Sequence, residues 1–419
     1  MNRKGADVDR RYMRDKSQVP PKPVVRLGLA ILRGVNWIQN SIVPAPMRIA
    51  DLSFGGYTLS EVVRTAAALG IADKLAQGPM TAEALADDIG ADPERLFRLM
   101  RFATVHGIFK ISRASRRQQG PATTLFANNA LSACLREDHP NSQKHLILAV
   151  VGKQHLSAGW QELEWGIRTK GRIFEKVYGE AFFERCANDM AIEDTYSKGM
   201  SALDHTCGNT ILQDYAWGKY AHYVDIAGAY GSFIAELLKA NPKSTGVLFD
   251  QSQVIHRARK VWQEDASRLA LAGRISFVAG DFFKPETLPC AQSKKTAWIL
   301  RQICHDWPDE ETVRILSSIR AAMEPHPQEC TLCLVEAVIT SKGEPTADVR
   351  DRARTASDLH MMIQHDGKER DALQWADILS KAGFKLTKIV STRSVFSIVE
   401  ASPVPITSSM AVMDATQAA

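Results

Sequence analysis

The stretch Val224–Phe233, VDIAGAYGSF, decides how this chain is read. Val224, Asp225 and Ile226 belong to an apolar run, HYVDIAG, with the length and composition of a buried strand; Ser232 and Phe233 open SFIAELLKA, which has helical spacing. A strand that turns through glycines into a helix is a place where backbone N–H groups meet a nucleotide-like ligand. In this turn Gly228 and Gly231 are present, but Ala227 and Ala229 stand between them and the strand. Alanine at positive φ costs about 1 kcal/mol or more relative to glycine, and little at ordinary φ. A methyl group also crowds a ligand lying on the backbone. Weakened binding follows from these alanines; loss of binding does not.

Outward from this turn, strand-like and helical runs alternate: STGVLFD, VIHRARKVWQE, RISFVAGDF, TAWILRQIC, EETVRILSSIRAAM, CTLCLVEAVI and ALQWADILSKAG. Alternation of this kind predicts an α/β domain with a mostly parallel sheet covered by helices on both faces. The last two runs, KLTKIVST and SVFSIVEAS, leave no room for a helix between them and are expected to form an antiparallel hairpin at the sheet edge.

Ligands of such sheets bind at the carboxyl ends of the strands. Asp225 lies in the first strand, Asp250 ends the second where an acid can hold ribose hydroxyls, and Asp281 ends the third beside Phe282, able to accept from an adenine amino group. One such acid means little, but three on successive strands form a constellation. No phosphate-cradling Gly-x-x-x-x-Gly-Lys loop is present, so a nucleoside-type ligand without a triphosphate is expected. His305 follows the fourth strand, Glu336 ends the fifth, and Glu369 lies in the later loop DGKERDA. A histidine oriented by two carboxylates can serve as a general base, although a histidine at a strand end is by itself more often structural.

The 419 residues exceed one ordinary domain, and a net charge of +5 spread along the chain indicates a solvated surface rather than a nucleic-acid partner. Seven scattered cysteines suit free thiols in a reducing, cytoplasmic setting, with Cys330 and Cys333 structural and no metal site expected. No apolar run approaches the ~18 residues that span a bilayer. The basic N-terminus carries Asp7, Asp9 and Asp15 and lacks a cleavage-site pattern, which argues against a signal peptide. Residues 1 to about 25, with a stop at Pro20-Pro21-Lys22-Pro23, and the tail from 403 are expected to lack order; Val24 to Asp51 reads as amphipathic and suited to a partner subunit. Between 58 and 110 the order is helix, short helix from Thr81 to Gly90, helix opening on Asp92-Pro93, then a strand, GIFKISR: a winged-helix arrangement. Its second helix, DPERLFRLMRF, spends Leu96, Phe97, Leu99 and Met100 on a core, so dimerisation rather than DNA reading is expected of it.

Taken together, LGIADKL, LREDHP, YSKGM, VDIAGAYG, VLFDQSQVI, VAGDFF, ICHDWPDEE, VEAVI, DLHMMIQHDGKERDALQW and AGF resemble, in order and over roughly residues 58 to 400, the S-adenosylmethionine-dependent O-methyltransferases of the plant caffeate and microbial secondary-metabolite type. The resemblance implies a Rossmann-like class I methyltransferase domain preceded by a helical winged-helix dimerisation domain. It implies an N-terminal extension over 1–57, a dimerisation domain over 58–135, helices lining the acceptor pocket over 136–205, a catalytic domain over 206–402 and a tail over 403–419. It implies His305 as base with Glu336 and Glu369; Gly228, Gly231, Asp250, Asp281, Phe282 and Arg301 at S-adenosylmethionine; Tyr196, Met200 and Met361 at a small-molecule acceptor, an aromatic or polyketide-like hydroxyl; and a homodimer without nucleic-acid or membrane partners. The chain departs from the family's Asp-x-Gly-Gly-Gly-x-Gly turn at Ala227 and Ala229. Two alternatives stay open at this point: a biosynthetic enzyme of the same fold that catalyses a cyclisation or hydroxylation, and a winged-helix regulator with a ligand-sensing domain.

Overall fold

The structure is a computed structural model that describes residues 22–115, 120–152, 157–340 and 349–404. The expected disorder before residue 22 and the tail beyond 404 lie outside the described residues. The chain divides into two bodies, one comprising Ala30–Thr206, the other Pro21–Leu29 with Cys207 onward.

The first body begins within helix α1 (Lys22–Ile42), followed by α2 (Ala45–Ala50) and α3 (Gly56–Ala68). The proline run is therefore no stop: α1 starts at Lys22 with Pro23 in its first turn, where a helix has no hydrogen bond to lose. A short α4 (Ile71–Lys74) leads to α5 (Ala82–Ile89) and α6 (Pro93–Val105). The capping residues act as their sequence positions suggest: Thr81 Oγ1 accepts from Ala84 N–H at 3.2 Å and Asp92 Oδ1 from Arg95 N–H at 2.8 Å. Leu85, Leu96, Met100, Phe109 and Phe126 close the core of this body. Strands β1 (Phe109–Ile111) and β2 (Phe126–Asn128) pair antiparallel as the wing. Farther along, α7 (Lys144–Val151) and α8 (Met190–Asp214) are the principal helices.

In the second body seven strands form one sheet in the order β10-β11-β7-β6-β3-β4-β5. They are β3 (His222–Ile226), β4 (Thr245–Asp250), β5 (Ile275–Ala279), β6 (Thr296–Arg301), β7 (Cys330–Glu336), β10 (Phe384–Ser391) and β11 (Ser397–Pro403). The pairs among β3 to β7 are parallel; β11 runs antiparallel to both β7 and β10, which places the hairpin at the edge. Helices α9 (Ser232–Ala240), α10 (Ser252–Glu264), α11 (Asp309–Ala322), α12 (Val349–His365) and α13 (Ala372–Lys381) accompany the sheet. The strand order reverses between β3 and β6, so the ligand crevice is expected at their carboxyl ends. The run CTLCLVEAVI is not one strand. It breaks at Ala337 into β7 and a short β8 (Val338–Ile339), which pairs parallel with β9 (Arg370–Asp371) and draws the later loop to the end of β7. Among the described residues no helix is long and apolar enough to cross a membrane.

The turn after β3 answers the question its alanines pose. Ala227 and Ala229 have φ of 54° and 50°, inside the left-handed region, as does Gly231 at 71°. Gly228 is needed for a different reason: a Cβ there would lie 2.6 Å from Asp225 Cγ and from Leu248 Cδ1. The strained backbone is fastened on every side. Ala227 N–H donates to Phe249 O at 2.8 Å, Ala229 N–H to Asp250 Oδ2 at 2.9 Å, and Tyr230 O accepts from Trp262 Nε1 and Arg268, each at 2.9 Å. Such conformations persist where the surroundings over-determine them. Ala227→Gly and Ala229→Gly are each expected to raise unfolding free energy by about 1 kcal/mol, read by urea denaturation; a loss of stability in both variants would show that the turn is not strained.

Candidate active site

Around this turn the three acids take different parts. Asp225 is 1% exposed within β3. Asp250, ending β4, accepts from Ala229 N–H through Oδ2 and from Gln251 N–H at 2.7 Å through Oδ1. It therefore holds the turn and keeps lone pairs for a ligand's hydroxyls. Burial pushes its pKa up to about 6 against those two N–H bonds. Asp281 is half-buried and accepts from Phe283 N–H at 3.0 Å. The Phe282 ring beside it stands edge-on to Phe283 and Trp307, at centroid distances of 5.0 and 6.0 Å. Arg301, the last residue of β6, lies with its guanidinium 5.1 Å from the Phe233 ring centroid in the first turn of α9.

His305 sits on a single helical turn, Cys304–Asp306, just after β6, and is 7% exposed. Its Nδ1 lies 2.9 Å from Glu369 Oε1 and 3.8 Å from Glu336 Oε2. Ser357, on α12, donates to the same Glu369 oxygen at 2.7 Å. Glu336 uses its other oxygen to accept from Cys304 N–H at 3.0 Å and Ile303 N–H at 3.3 Å. On the far side of the ring, Nε2 lies 3.5 Å from Asp306 Oδ1, which is itself 3.4 Å from His365 Nε2.

Four consecutive residues cradle this turn. Gly367 passes so close that a Cβ would fall 2.0 Å from His305 O. Lys368 N–H donates to that same carbonyl at 2.9 Å. Glu369 meets the ring, and Arg370 reaches the carbonyls of Cys304 and Trp307, each at 2.7 Å. The motif GKER is thus one strip of chain pressed against another, ICHDW.

The electrostatics of the cluster follow from burial and crowding. Burial disfavours the charged imidazole, but the carboxylates of Glu369, Asp306 and Glu336 outweigh it and raise the His305 pKa to about 10. Burial pushes Asp306 up to about 6, partly offset by His305, and raises Glu336 likewise. His360 is lowered to about 4 and His365 well below its usual value, first by burial and then by the positive charge of His305. The neighbouring carboxylates favour the charged imidazole of His305. Glu336 Oε2 makes no hydrogen bond to the described residues, which leaves it a place for a proton. His305, Glu336 and Glu369 also offer ligand atoms within 4.8 Å of one another. A cation there would have to part the hydrogen bond between His305 and Glu369, because metal–nitrogen distances are nearer 2.1 Å.

Of the residues singled out in sequence, His305, Glu336 and Glu369 meet directly, and Gly228, Gly231 and Asp250 share one turn. Met361 is 7% exposed on α12. Tyr196 and Met200 belong to the first body, where the Tyr196 ring packs edge-on to Phe182 at 4.8 Å. Asp306, Ser357, Gly367 and Arg370 were missed. Asp306, Gly367 and Arg370 lie inside quoted motifs, HDW and GKER, where the signal was present but only the neighbouring residue was weighed. The thiols are free as expected; Cys186, Cys304, Cys330 and Cys333 are buried and Cys290 is exposed.

Comparison with known proteins follows the same outline. A family model for the O-methyltransferase domain matches residues 160–385, and one for the O-methyltransferase dimerisation domain matches residues 51–138. The chain is 30% identical to the O-methyltransferase SfmM3 of Streptomyces lavendulae, over 82% of this chain and 96% of that protein. It is 29% identical to the 8-amino-8-demethylriboflavin N,N-dimethyltransferase of Streptomyces davaonensis, over 81% of this chain and 90% of that one. Among solved structures it resembles the O-methyltransferase NcsB1 of neocarzinostatin biosynthesis, in complex with S-adenosylmethionine and 2-hydroxy-5-methyl naphthoic acid. There the TM-score is 0.65 and the identity 26%, covering 83% of this chain and 96% of that one. With the domain model spanning more than half its length, this chain belongs to the O-methyltransferase family.

Proposed function

We propose that this protein methylates a hydroxyl of a small secondary metabolite, with His305 as the general base. The observation that carries the reading is the buried contact of His305 with Glu369, set at the end of β6 beside the strained turn. S-adenosylmethionine is the methyl donor, and its sulfonium supplies the transferred carbon when bound. Asp250 would hold its ribose, Asp281 and Phe282 its adenine, and the turn at Gly228 and Gly231 its chain, with Arg301 nearby. The unused lone pairs of Asp250 fit such a ligand, and the turn has no lysine and offers no phosphate cradle. Tyr196, Met200 and Met361 are assigned to the acceptor, with an aromatic or polyketide-like hydroxyl as its class; the naphthoic acid of NcsB1 is an acceptor-like ligand of that kind. The domain ranges 58–135, 136–205 and 206–402 are assigned to dimerisation, acceptor helices and catalysis. The N,N-dimethyltransferase relative supports a second reading, in which an amine is the acceptor.

A phenol with pKa near 10 is mostly protonated at neutral pH, so a positioned base helps, and alignment of the two substrates supplies much of the rest. His305 can take that proton only when its own has left. The carboxylates of Glu369, Asp306 and Glu336 hold that proton on the imidazole, so the base form of His305 appears as the cluster is deprotonated. Turnover is therefore expected to rise with pH as the cluster loses its proton. His305→Gln should lower turnover by roughly two to four powers of ten, with the deficit shrinking at high pH where a phenol ionises unaided. Full turnover in that variant would overturn base catalysis by His305, and unfolding would make the histidine structural.

The dimerisation-domain match supports a homodimer, as does the surface ahead of it. Ile31, Val35, Ile38 and Ile42 recur at helical spacing along α1, and each is about half exposed or more. Phe54 and Tyr57 continue the exposure, at 78% and 67%. Apolar surface of this extent marks an association site. Removing residues before Leu59 should weaken the dimer or make the protein insoluble, read by sedimentation; a stable and fully active truncated monomer would contradict the reading.

A further inference from the structure

Arg370 is fully buried, and its guanidinium is spent almost entirely on the turn that bears His305. Besides the carbonyls of Cys304 and Trp307 at 2.7 Å, it reaches Thr312 Oγ1 at 3.1 Å, and its Nε donates to Asp309 Oδ1 at 2.9 Å. Thr312 Oγ1 in turn lies 3.3 Å from the same two carbonyls. Among the described residues the carboxylate paired with this buried charge is Asp309, on the first turn of α11 and half-exposed, which it shares with Lys368. A buried guanidinium with so partial a counter-ion is costly unless its donors are all used, and here carbonyl oxygens use them. The two carbonyls it grips bracket His305. The residue before it, Glu369, holds the ring of the same histidine.

We propose that Arg370 is a positioning residue for methyl transfer: by gripping the carbonyls of Cys304 and Trp307 it fixes the turn so that His305 presents Nδ1 to Glu369 and directs Nε2 away from it, to the side of Asp306. This rests on the assignment of His305 as base. The fork of the guanidinium spans both carbonyls at once, which a lysine ammonium on a flexible stem does not. Arg370 and Glu369 thus act as one device, with backbone and ring of the histidine held by adjacent residues where the loop enters β9.

The groups facing the His305 ring are Glu369, Glu336, Asp306, His360 and His365, with Ser357 bonded to Glu369. Its titration therefore reports whether the ring still sits among the acids. The test is the His305 pKa by NMR of the 15N-histidine-labelled full chain, with the signal assigned by its loss in His305→Gln. Arg370→Lys keeps the charge and loses the fork. It is expected to lower the His305 pKa by at least about one unit toward the ordinary value near 6.5, while S-adenosylhomocysteine affinity stays within about threefold. Arg370→Gln separates position from charge: loss of a nearby positive charge alone would raise the His305 pKa, whereas release of the turn lowers it. If Arg370→Lys does not fold, Thr312→Val, which removes a hydroxyl that the guanidinium reaches without changing any charge, is expected to shift the pKa in the same direction by less. An unchanged or raised His305 pKa in a folded variant overturns the proposal. Because the readout needs no acceptor and no turnover, it can fail while His305 remains the base, and it can succeed even if His305→Gln proves active.

Discussion

The hydrogen bond between His305 Nδ1 and Glu369 Oε1, buried and 2.9 Å long, is the contact around which the second body is arranged. It joins two segments more than sixty residues apart, and neither would sit where it does without help. The break of β7 into β8, the short parallel pairing of β8 with β9, the absent side chain at Gly367 and the buried guanidinium of Arg370 each serve to bring the strip GKER onto the turn ICHDW. An imidazole surrounded by three acids is expensive to bury, and the cost is offset by the attraction between His305 and its carboxylates and by the donors that Cys304, Ile303 and Ser357 supply to them.

Strain gathers at the same place. Among the described residues five non-glycine positions have positive φ, and four of them are Ala227, Ala229, Gln302 and Asp366. The first pair shapes the turn after β3, Gln302 precedes the His305 turn, and Asp366 precedes Gly367. Each is a point where the backbone leaves its easiest path close to the carboxyl ends of β3 and β6 or to the loop that meets His305. In this light the alanines of the turn are not marks of a disused site. The turn keeps the backbone conformation that glycine would adopt freely, held by Asp250, Phe249, Trp262 and Arg268, and a fold with no ligand to bind would have no reason to sustain it.

Much of this was legible in the sequence, for identifiable reasons. Buried parallel strands announce themselves as short apolar runs, so β3 to β7 and the final hairpin could be placed, with ends off by up to three residues. Thr81 and Asp92 marked helix starts because capping chemistry is local. His305, Glu336 and Glu369 could be named because each ends a strand or lies in a distinctive loop. What could not be read was anything decided by contact between distant segments. That Ala227 and Ala229 would adopt positive φ, that Val338 would leave the main sheet to pair with Arg370, and that Arg370 would be fully buried rather than solvated all depend on tertiary packing. A charged residue in a polar loop ordinarily reads as surface, and only the two carbonyls it meets make it otherwise.

The account rests on the claim that the altered turn still serves a cofactor. Calorimetric titration of S-adenosylhomocysteine into the full-length protein tests it most directly. Saturable binding with one ligand per chain and a Kd on the order of micromolar to tens of micromolar is expected, corresponding to about −6 to −8 kcal/mol. Absence of any binding heat and of any displacement by S-adenosylmethionine up to roughly millimolar ligand, where even −4 kcal/mol would register, would contradict it.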